Sequence, residues 1–229
     1  MAISAAELVA RLSADVPEYD DAPTDQQYRR AVLDAVADLS ARKPMVKSAS
    51  LDMVSGQASY ALPDDFLRFV GLEIPYAQDG VIVTGDGVVP VGTRSPVDWQ
   101  TEVSGLTLTL DPTPTFDFTY TLRYAAKHAL TGEEPNDRYE TLTGELASVA
   151  LMKARSIALG FIAAKVSRDA WTYKEAEQQV DKREQSKAIR AEATAANDEY
   201  VAAIKALAPA QSGGPFEPTT GDLAWLGRM

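Results

Sequence analysis

The sequence predicts an α+β fold, mainly an α-helical bundle with a long C-terminal helix and an inserted antiparallel β module. Three observations support this. Apolar residues recur at helical spacing before Pro44, they alternate with polar residues from about residue 45 to 124, and helical spacing returns at about Arg138. The chain is predicted to have four parts. They are the N-terminal helices of the bundle (1–44), the inserted β module (45–130), the long helices that complete the bundle (131–207) and a flexible C-terminal docking arm (208–229).

Two short helices are predicted near the start of the chain, each with a capping signal. Ser4 is followed three residues later by Glu7, and Thr24 by Gln27, which is the spacing of a capping box. Pro44 is expected to end the second helix, since proline cannot continue the helical hydrogen-bond ladder.

Strand patterns fill the next part of the chain. Strands are predicted at 46–54, 57–62 and 66–75, and the alternating segments 106–110 and 118–124 are predicted to pair as a hairpin across residues 111–115. Within the glycine-rich segment 76–97, which is expected to be an exposed loop or small flap, residues 84–87 are expected to make a hairpin turn.

The helix predicted from Arg138 is apolar on nearly all sides, which is typical of a helix buried in its bundle. A last helix is predicted from about 169 to 207, roughly 55 Å long at 1.5 Å per residue. Its polar stretch 177–187 allows two interpretations. It is either a solvated helix held by ion pairs such as Glu184 with Lys187, or a helix that runs along a neighbouring subunit. The inter-subunit residues would then include Arg183, Glu184, Lys187 and Arg190.

Composition limits the partners. The chain has 229 residues, 45% of them hydrophobic, and its 33 acids against 22 bases give a net charge of −11. Residues 44–130 alone contain ten acids and five bases. Such a surface should repel the DNA backbone, so specific DNA binding is not expected, while an acidic lining is compatible with DNA that slides past without sticking. The absence of cysteine excludes disulfides, and neither a secretory signal nor a membrane partner is expected.

The sequence predicts no catalytic, cofactor or metal site. His128 is the only histidine, so a zinc site would need three or four carboxylates, and no serine lies in a nucleophile elbow. The glycines of residues 84–87 match neither a phosphate loop nor a dinucleotide fingerprint. Adjacent carboxylates such as Asp64 and Asp65 are typical of solvated turns, not of a glycosidase cleft. The chain is therefore expected not to be an enzyme.

The C-terminal segment combines a flexible linker with apolar residues. Residues 210–215 are polar and glycine-rich. They precede four apolar residues that are predicted to dock on a partner protein or an adjacent subunit, namely Phe216, Leu223, Trp225 and Leu226. In the alternative interpretation, these side chains fold back on the chain's own bundle.

One short motif resembles a known family. Tyr60, Leu62, Pro63, Asp65 and Phe66 form the pattern Tyr-x-Leu-Pro-x-Asp-Phe, which is followed by an apolar strand. This pattern, within the order of elements over residues 1–207, resembles the head-to-tail connector proteins (adaptor or head-completion proteins) of tailed bacteriophages.

The resemblance implies a structural virion protein without catalytic residues. Family members form rings, commonly twelvefold, beneath the portal. The implied partners are the portal protein, a tail or nozzle protein and further copies of the chain. The implied location is the neck of the virion, after assembly in the host cytoplasm.

Three other functions remain open on the sequence. The chain could be another neck or tail-completion protein, or a cell-wall hydrolase carried in the virion. It could also be a free-standing bacterial helical protein that binds a partner through its long helix.

Overall fold

A computed structural model describes residues 2–73, 100–115, 117–169 and 182–207, together with the backbone of 81–84 and 87–90. The chain divides into two compact units. A helical unit is formed by Met1–Met45 and Lys127–Ala206, and a β module by Val46–Ala126. The predicted α+β class, with helices and small antiparallel sheets, is confirmed. The four-part division of the chain remains a prediction.

The two N-terminal helices are α1 (Ala5–Asp15) and α2 (Asp25–Arg42). Thr24 and Gln27 form the complete predicted capping box at α2. At α1 only half of the predicted box is present, because Ser4 Oγ accepts from the Glu7 backbone N–H while the Glu7 carboxylate pairs with Arg11 at 2.6 Å. The ion pair of Glu7 with Arg11, one turn further on, replaces the second capping bond.

The long helices are α3 (Gly144–Asp169) and α4 (Lys182–Ala206). The predicted start of α3 at about Arg138 was wrong, since the helix begins six residues later. The expectation of burial on all sides was also wrong, because Gly160, Ala164 and Arg168 are exposed. The predicted continuation of the last helix through residues 170–181 lies outside the described residues.

α3 is long and apolar enough to cross a membrane, judged on length and composition within the described part of the chain. Core helices also meet these criteria. One side of α3 is buried in the helical unit, with Ala147, Ala150, Ala154 and Ala158 all at most 2% exposed. α3 packs against α2 and α4.

Tyr200 of α4 joins three helices of the helical unit. Its side chain is fully buried, and its hydroxyl donates to Asp38 Oδ2 of α2 at 2.5 Å. Arg42 bonds the same carboxylate at 2.9 Å and lies 5.8 Å from the ring centroid, while Lys153 Nζ of α3 lies 5.6 Å from it. Burial and the Asp38 carboxylate raise the pKa of the Tyr200 hydroxyl, so it remains a proton donor.

A small three-stranded sheet in the helical unit was not predicted. Its antiparallel strands are β1 (Ile3–Ser4), β10 (Leu130–Thr131) and β11 (Arg138–Tyr139), in the order β1-β11-β10. Each strand has two residues, which is too short for a period of two to show in the sequence.

The β module contains two three-stranded antiparallel sheets. Their strands are β2 (Met45–Met53), β3 (Ser59–Ala61), β4 (Phe66–Glu73), β7 (Gln100–Ser104), β8 (Thr107–Asp111) and β9 (Phe118–Ala126). One sheet has the strand order β2-β9-β4 and the other β3-β8-β7. Both sheets contribute to one hydrophobic core, which includes Leu51, Leu72, Leu108, Leu110 and Leu122.

The predicted hairpin between residues 106–110 and 118–124 was wrong. The two strands belong to different sheets, so β8 pairs with β7 and β3, whereas β9 pairs with β4 and β2. The observed hairpin joins β7 to β8 through a two-residue turn that starts at Gly105, whose φ is +59°. Glycine adopts this left-handed conformation without steric cost.

A second hairpin is formed by β5 (Val81–Thr84) and β6 (Gly87–Pro90), with Thr84 opposite Gly87. This confirms the turn predicted at residues 84–87. The rest of the predicted flap at 76–97 lies outside the described residues.

The β-module core gives a matched test of burial. Leu108 is fully buried in β8, whereas Leu106, two residues earlier, is 44% exposed. Leu108→Ala should lower the free energy of unfolding by about 2–5 kcal/mol, because it leaves a cavity in the shared core. Leu106→Ala should change it by less than about 0.5 kcal/mol. Urea unfolding of the two variants measures the difference, and equal effects would show that the core is misassigned.

Candidate assembly surfaces

The Tyr-x-Leu-Pro-x-Asp-Phe motif forms a tight turn between β3 and β4. Tyr60, Leu62 and Phe66 are buried in the core of the β module. The Phe66 N–H donates to the Pro63 carbonyl at 2.9 Å, which closes the turn. The Phe66 ring also stacks on Tyr124 of β9, with 5.9 Å between centroids. The apolar residues of the motif therefore hold one sheet to the other, and they do not form an exposed docking surface.

The Tyr60 hydroxyl organises the loop before β3. It donates to the Gln57 carbonyl at 2.7 Å and lies 3.2 Å from the Val54 N–H, from which it accepts. A buried tyrosine hydroxyl needs such partners, because an unpaired polar group in a core is costly. Tyr60 thus closes the loop 54–57 as well as filling the core.

Asp65 is the polar centre of the motif. Its carboxylate accepts from Lys47 Nζ at 2.6 Å and from the Tyr124 hydroxyl at 3.0 Å. Burial tends to raise the pKa of Asp65, but the bonds from Lys47 and Tyr124 outweigh it, and the pKa falls below its ordinary value. For Tyr124, burial and the Asp65 carboxylate raise the pKa to about 12. Asp65 therefore stays ionised and links β2, the turn and β9.

His128 is buried in the helical unit and has partners on both ring nitrogens. Nε2 lies 3.0 Å from the Lys43 carbonyl and Nδ1 lies 3.0 Å from Thr141 Oγ1. Since a carbonyl only accepts, Nε2 must carry a proton. The His128 backbone N–H donates to Ser40 Oγ at 3.0 Å. The only histidine is 3% exposed, so its ring serves packing and hydrogen bonding in this unit.

A second buried polar group fixes the small sheet of the helical unit. Asp137 is 2% exposed, and its carboxylate bonds the Arg29 guanidinium of α2. Its backbone carbonyl accepts from the Ala5 N–H at 3.2 Å, at the start of α1. Arg29 also lies 3.5 Å from the Glu134 carboxylate. Burial and Asp137 raise the pKa of the neighbouring Tyr139 hydroxyl to about 12. Sequence reasoning missed this cluster, because nothing in the spacing of these residues indicates their contact.

The predicted inter-subunit residues of α4 lie on a helix that is packed on one side. Ser186 is buried, and its hydroxyl donates to the Ala163 carbonyl of α3 at 3.2 Å. Glu184, Lys187 and Arg190 are exposed, and Lys187 pairs with Glu184 at 2.6 Å. The backbone of Arg183 lies in the first turn of the helix. The exposed charged side chains of α4 are therefore available to solvent or to another subunit.

The predicted docking residues of the tail, Phe216, Leu223, Trp225 and Leu226, lie outside the described residues. Within the described part of the chain, no three His, Asp or Glu side chains are close enough to hold a metal ion.

Comparison with protein families agrees with this architecture. The family model described as SU10 adaptor protein matches residues 3–215, which is nearly the whole chain. The chain belongs to the SU10 adaptor protein family. SU10 adaptors are structural phage proteins, so the chain is a virion component of the adaptor class. No match was found among curated proteins.

The family assignment confirms the resemblance drawn from the motif and the order of elements. In this SU10 adaptor, the motif shapes the β module from inside. Because Tyr60, Leu62 and Phe66 are buried in the core, the motif indicates a family but no contact surface.

The paired carboxylates of the motif give a matched test. Asp65→Asn removes the charge that Lys47 and Tyr124 bond, and should lower the free energy of unfolding by about 1–3 kcal/mol at pH 7. Asp64→Asn should have little effect, because Asp64 is exposed.

The contribution of Asp65 to the free energy of unfolding should depend on pH. The folded-state pKa of Asp65 is depressed. Its contribution is therefore present above the unfolded value of about 3.9 and is lost as pH falls through the folded value. The stability difference between wild type and Asp65→Asn should be constant above about pH 5 and shrink below pH 4. Urea unfolding from pH 3 to 7 measures it, and a difference that grows on acidification would contradict this assignment.

Proposed function

We propose that this SU10 adaptor is one subunit of a ring that forms on the portal and joins the DNA-filled head to the tail.

 In the proposed role, the ring binds the portal on one side and a tail or nozzle protein on the other, and it forms part of the DNA channel. The family match over residues 3–215 carries this proposal. The proposed site of action is the neck of the virion, after assembly in the host cytoplasm.

The charge of the chain supports a conduit that DNA crosses without being held. A net charge of −11 disfavours the counterion release that drives proteins onto a DNA backbone. It also favours dispersed subunits before assembly, because like charges repel. We propose twelvefold symmetry, in line with the rings that such connectors commonly form.

The proposed role is non-enzymatic. The single histidine is 3% exposed, and both of its ring nitrogens have partners within the helical unit. Its imidazole is thus placed to hold chain segments together and not to receive a substrate. We propose that the exposed charges of α4, among them Glu184, Lys187 and Arg190, face a neighbouring subunit.

We also propose that residues 208–229 act as a docking arm. The apolar residues Phe216, Leu223, Trp225 and Leu226 follow a glycine-rich linker, and apolar anchors of this kind dominate interface energies when buried. An arm that orders only on contact would restrict ring formation to the portal, where the partner offsets the loss of chain entropy.

The direct test is electron microscopy of the purified protein mixed with portal particles. The full chain should form a ring on one end of the portal. A chain that lacks residues 210–229 should have an unchanged melting temperature and fail to attach, because it has lost the anchors but none of the bundle or β-module core.

Failure of the full chain to bind portals would contradict the proposed role. Full binding by the truncated chain would contradict the docking arm alone. A large fall in melting temperature on truncation would instead show that the tail folds back on its own subunit.

A further inference from the structure

A basic pocket lies between the last turns of α3 and the first half of α4. The cavity has a volume of about 440 Å³, and the described residues that line it are Ala164, Ser167, Arg168 and Arg190. Both arginines are exposed, and neither forms an ion pair within the described part of the chain. Guanidinium groups bond carboxylates through planar N–H donors, so two of them beside a small apolar residue suit a carboxylate-bearing segment.

An acidic tip, defined as residues 18–21, lies between α1 and α2 in the same helical unit. It contains Glu18, Asp20 and Asp21 around Tyr19, which is 44% exposed. The Tyr19 N–H donates to the Ala22 carbonyl at 2.7 Å, and the Ala22 N–H donates back at 3.2 Å. These two bonds close a tight loop that displays three carboxylates and one aromatic ring together.

The backbone of the tip explains its residue types. Asp20 and Asp21 have φ values of +55° and +60°, in the left-handed region that disfavours most side chains. Aspartate tolerates this region better than most residues because its short side chain bonds locally. Glu18, Asp20 and Asp21 form no ion pair within the described residues. The tip therefore has charge that its own subunit does not neutralise.

We infer that the acidic tip of one subunit docks in the basic pocket of the next subunit around the ring. The occupant is a second copy of this chain, chosen by charge complementarity in a protein whose net charge otherwise opposes association. Tyr19 supplies an apolar contact opposite Ala164, and the carboxylates meet Arg168 and Arg190. Two different surfaces that pair head to tail form a closed ring when the rotation closes. This inference rests on the proposed ring.

The test is a charge swap with portal-templated rings as the readout. A pocket variant carries Arg168→Glu and Arg190→Glu. A tip variant carries Glu18→Arg, Asp20→Asn and Asp21→Asn, since asparagine also tolerates the left-handed backbone. Neither variant alone should form rings, because its tip and its pocket have charges of the same sign and repel each other. A mixture of the two should restore rings in which the variants alternate, and a chain with all five substitutions should form rings by itself.

Two controls separate charge from folding and from net charge. The first control carries Arg68→Glu and Arg138→Glu, which change the net charge by as much as the pocket variant does but at exposed sites elsewhere. It should still form rings. Arg168→Gln with Arg190→Gln should weaken rings without introducing repulsion, which keeps the test available if the glutamate variant does not fold. Thermal unfolding of each variant reports the fold.

Each outcome is decisive. If the pocket variant alone or the tip variant alone formed as many rings as the wild type, the inference would be overturned and the proposed function would be unaffected. Loss of rings without restoration in the mixture or in the fivefold variant would also overturn it. Failure of the wild-type protein to form rings on portals would instead count against the proposed function.

Discussion

The helical unit depends on holding together the two points where the chain leaves for the β module and returns from it. The first part of the unit ends at Met45, shortly after residues 40–43, and the second part begins at Lys127, next to residue 128. His128 joins them, through its backbone N–H to Ser40 Oγ and its Nε2 to the Lys43 carbonyl, both at 3.0 Å. Its Nδ1 reaches Thr141, just before α3. One buried side chain thereby connects three segments that lie far apart in sequence.

Partly buried polar contacts join other parts of the helical unit. The Asp38 carboxylate of α2 accepts a hydrogen bond from the Tyr200 hydroxyl of α4. The Arg29 guanidinium donates to the carboxylate of Asp137, next to the small sheet. Such bonds specify which segments meet, because a buried polar group without its partner is costly. The β module has its own core and its own partly buried carboxylate, Asp65, bonded by Lys47 and Tyr124. Each unit thus has apolar packing and a polar contact that selects one arrangement.

The sequence predicted those features that depend on local chemistry. The α2 capping box, the turn at 84–87 and the buried face of β9 follow from residues close together in the chain. Prediction from the sequence failed where the structure depends on which segments, far apart in the chain, pair with each other. Alternation in 106–110 and 118–124 correctly predicted that Leu108, Leu122 and Tyr124 are buried, although Leu106 is 44% exposed. It did not select the pairing, because both segments would alternate in the same way whichever strands they paired with. The strand at Arg138–Tyr139 replaced a predicted helix because it pairs with Ile3–Ser4.

The family could be predicted from the sequence, but the residues that line the basic pocket could not. The Tyr60 to Phe66 motif is recognisable because its turn requires a particular order of proline, acid and aromatic residues. The pocket of Arg168 and Arg190 was not recognisable, since the two arginines are 22 positions apart and meet only when α3 and α4 pack. The predicted α4 charges included Arg190 for its polarity alone, without its partner in the pocket.

The central claim, that His128 closes the helical unit while the β module holds itself together, is tested most directly by hydrogen exchange. Peptide-resolved exchange would be compared between wild type and His128→Ala at neutral pH. The variant should lose protection at the end of α2 and the start of α3, with β-module strands β8 and β9 unchanged. Unchanged protection around α2 and α3, or first loss of protection in β8 and β9, would contradict this account.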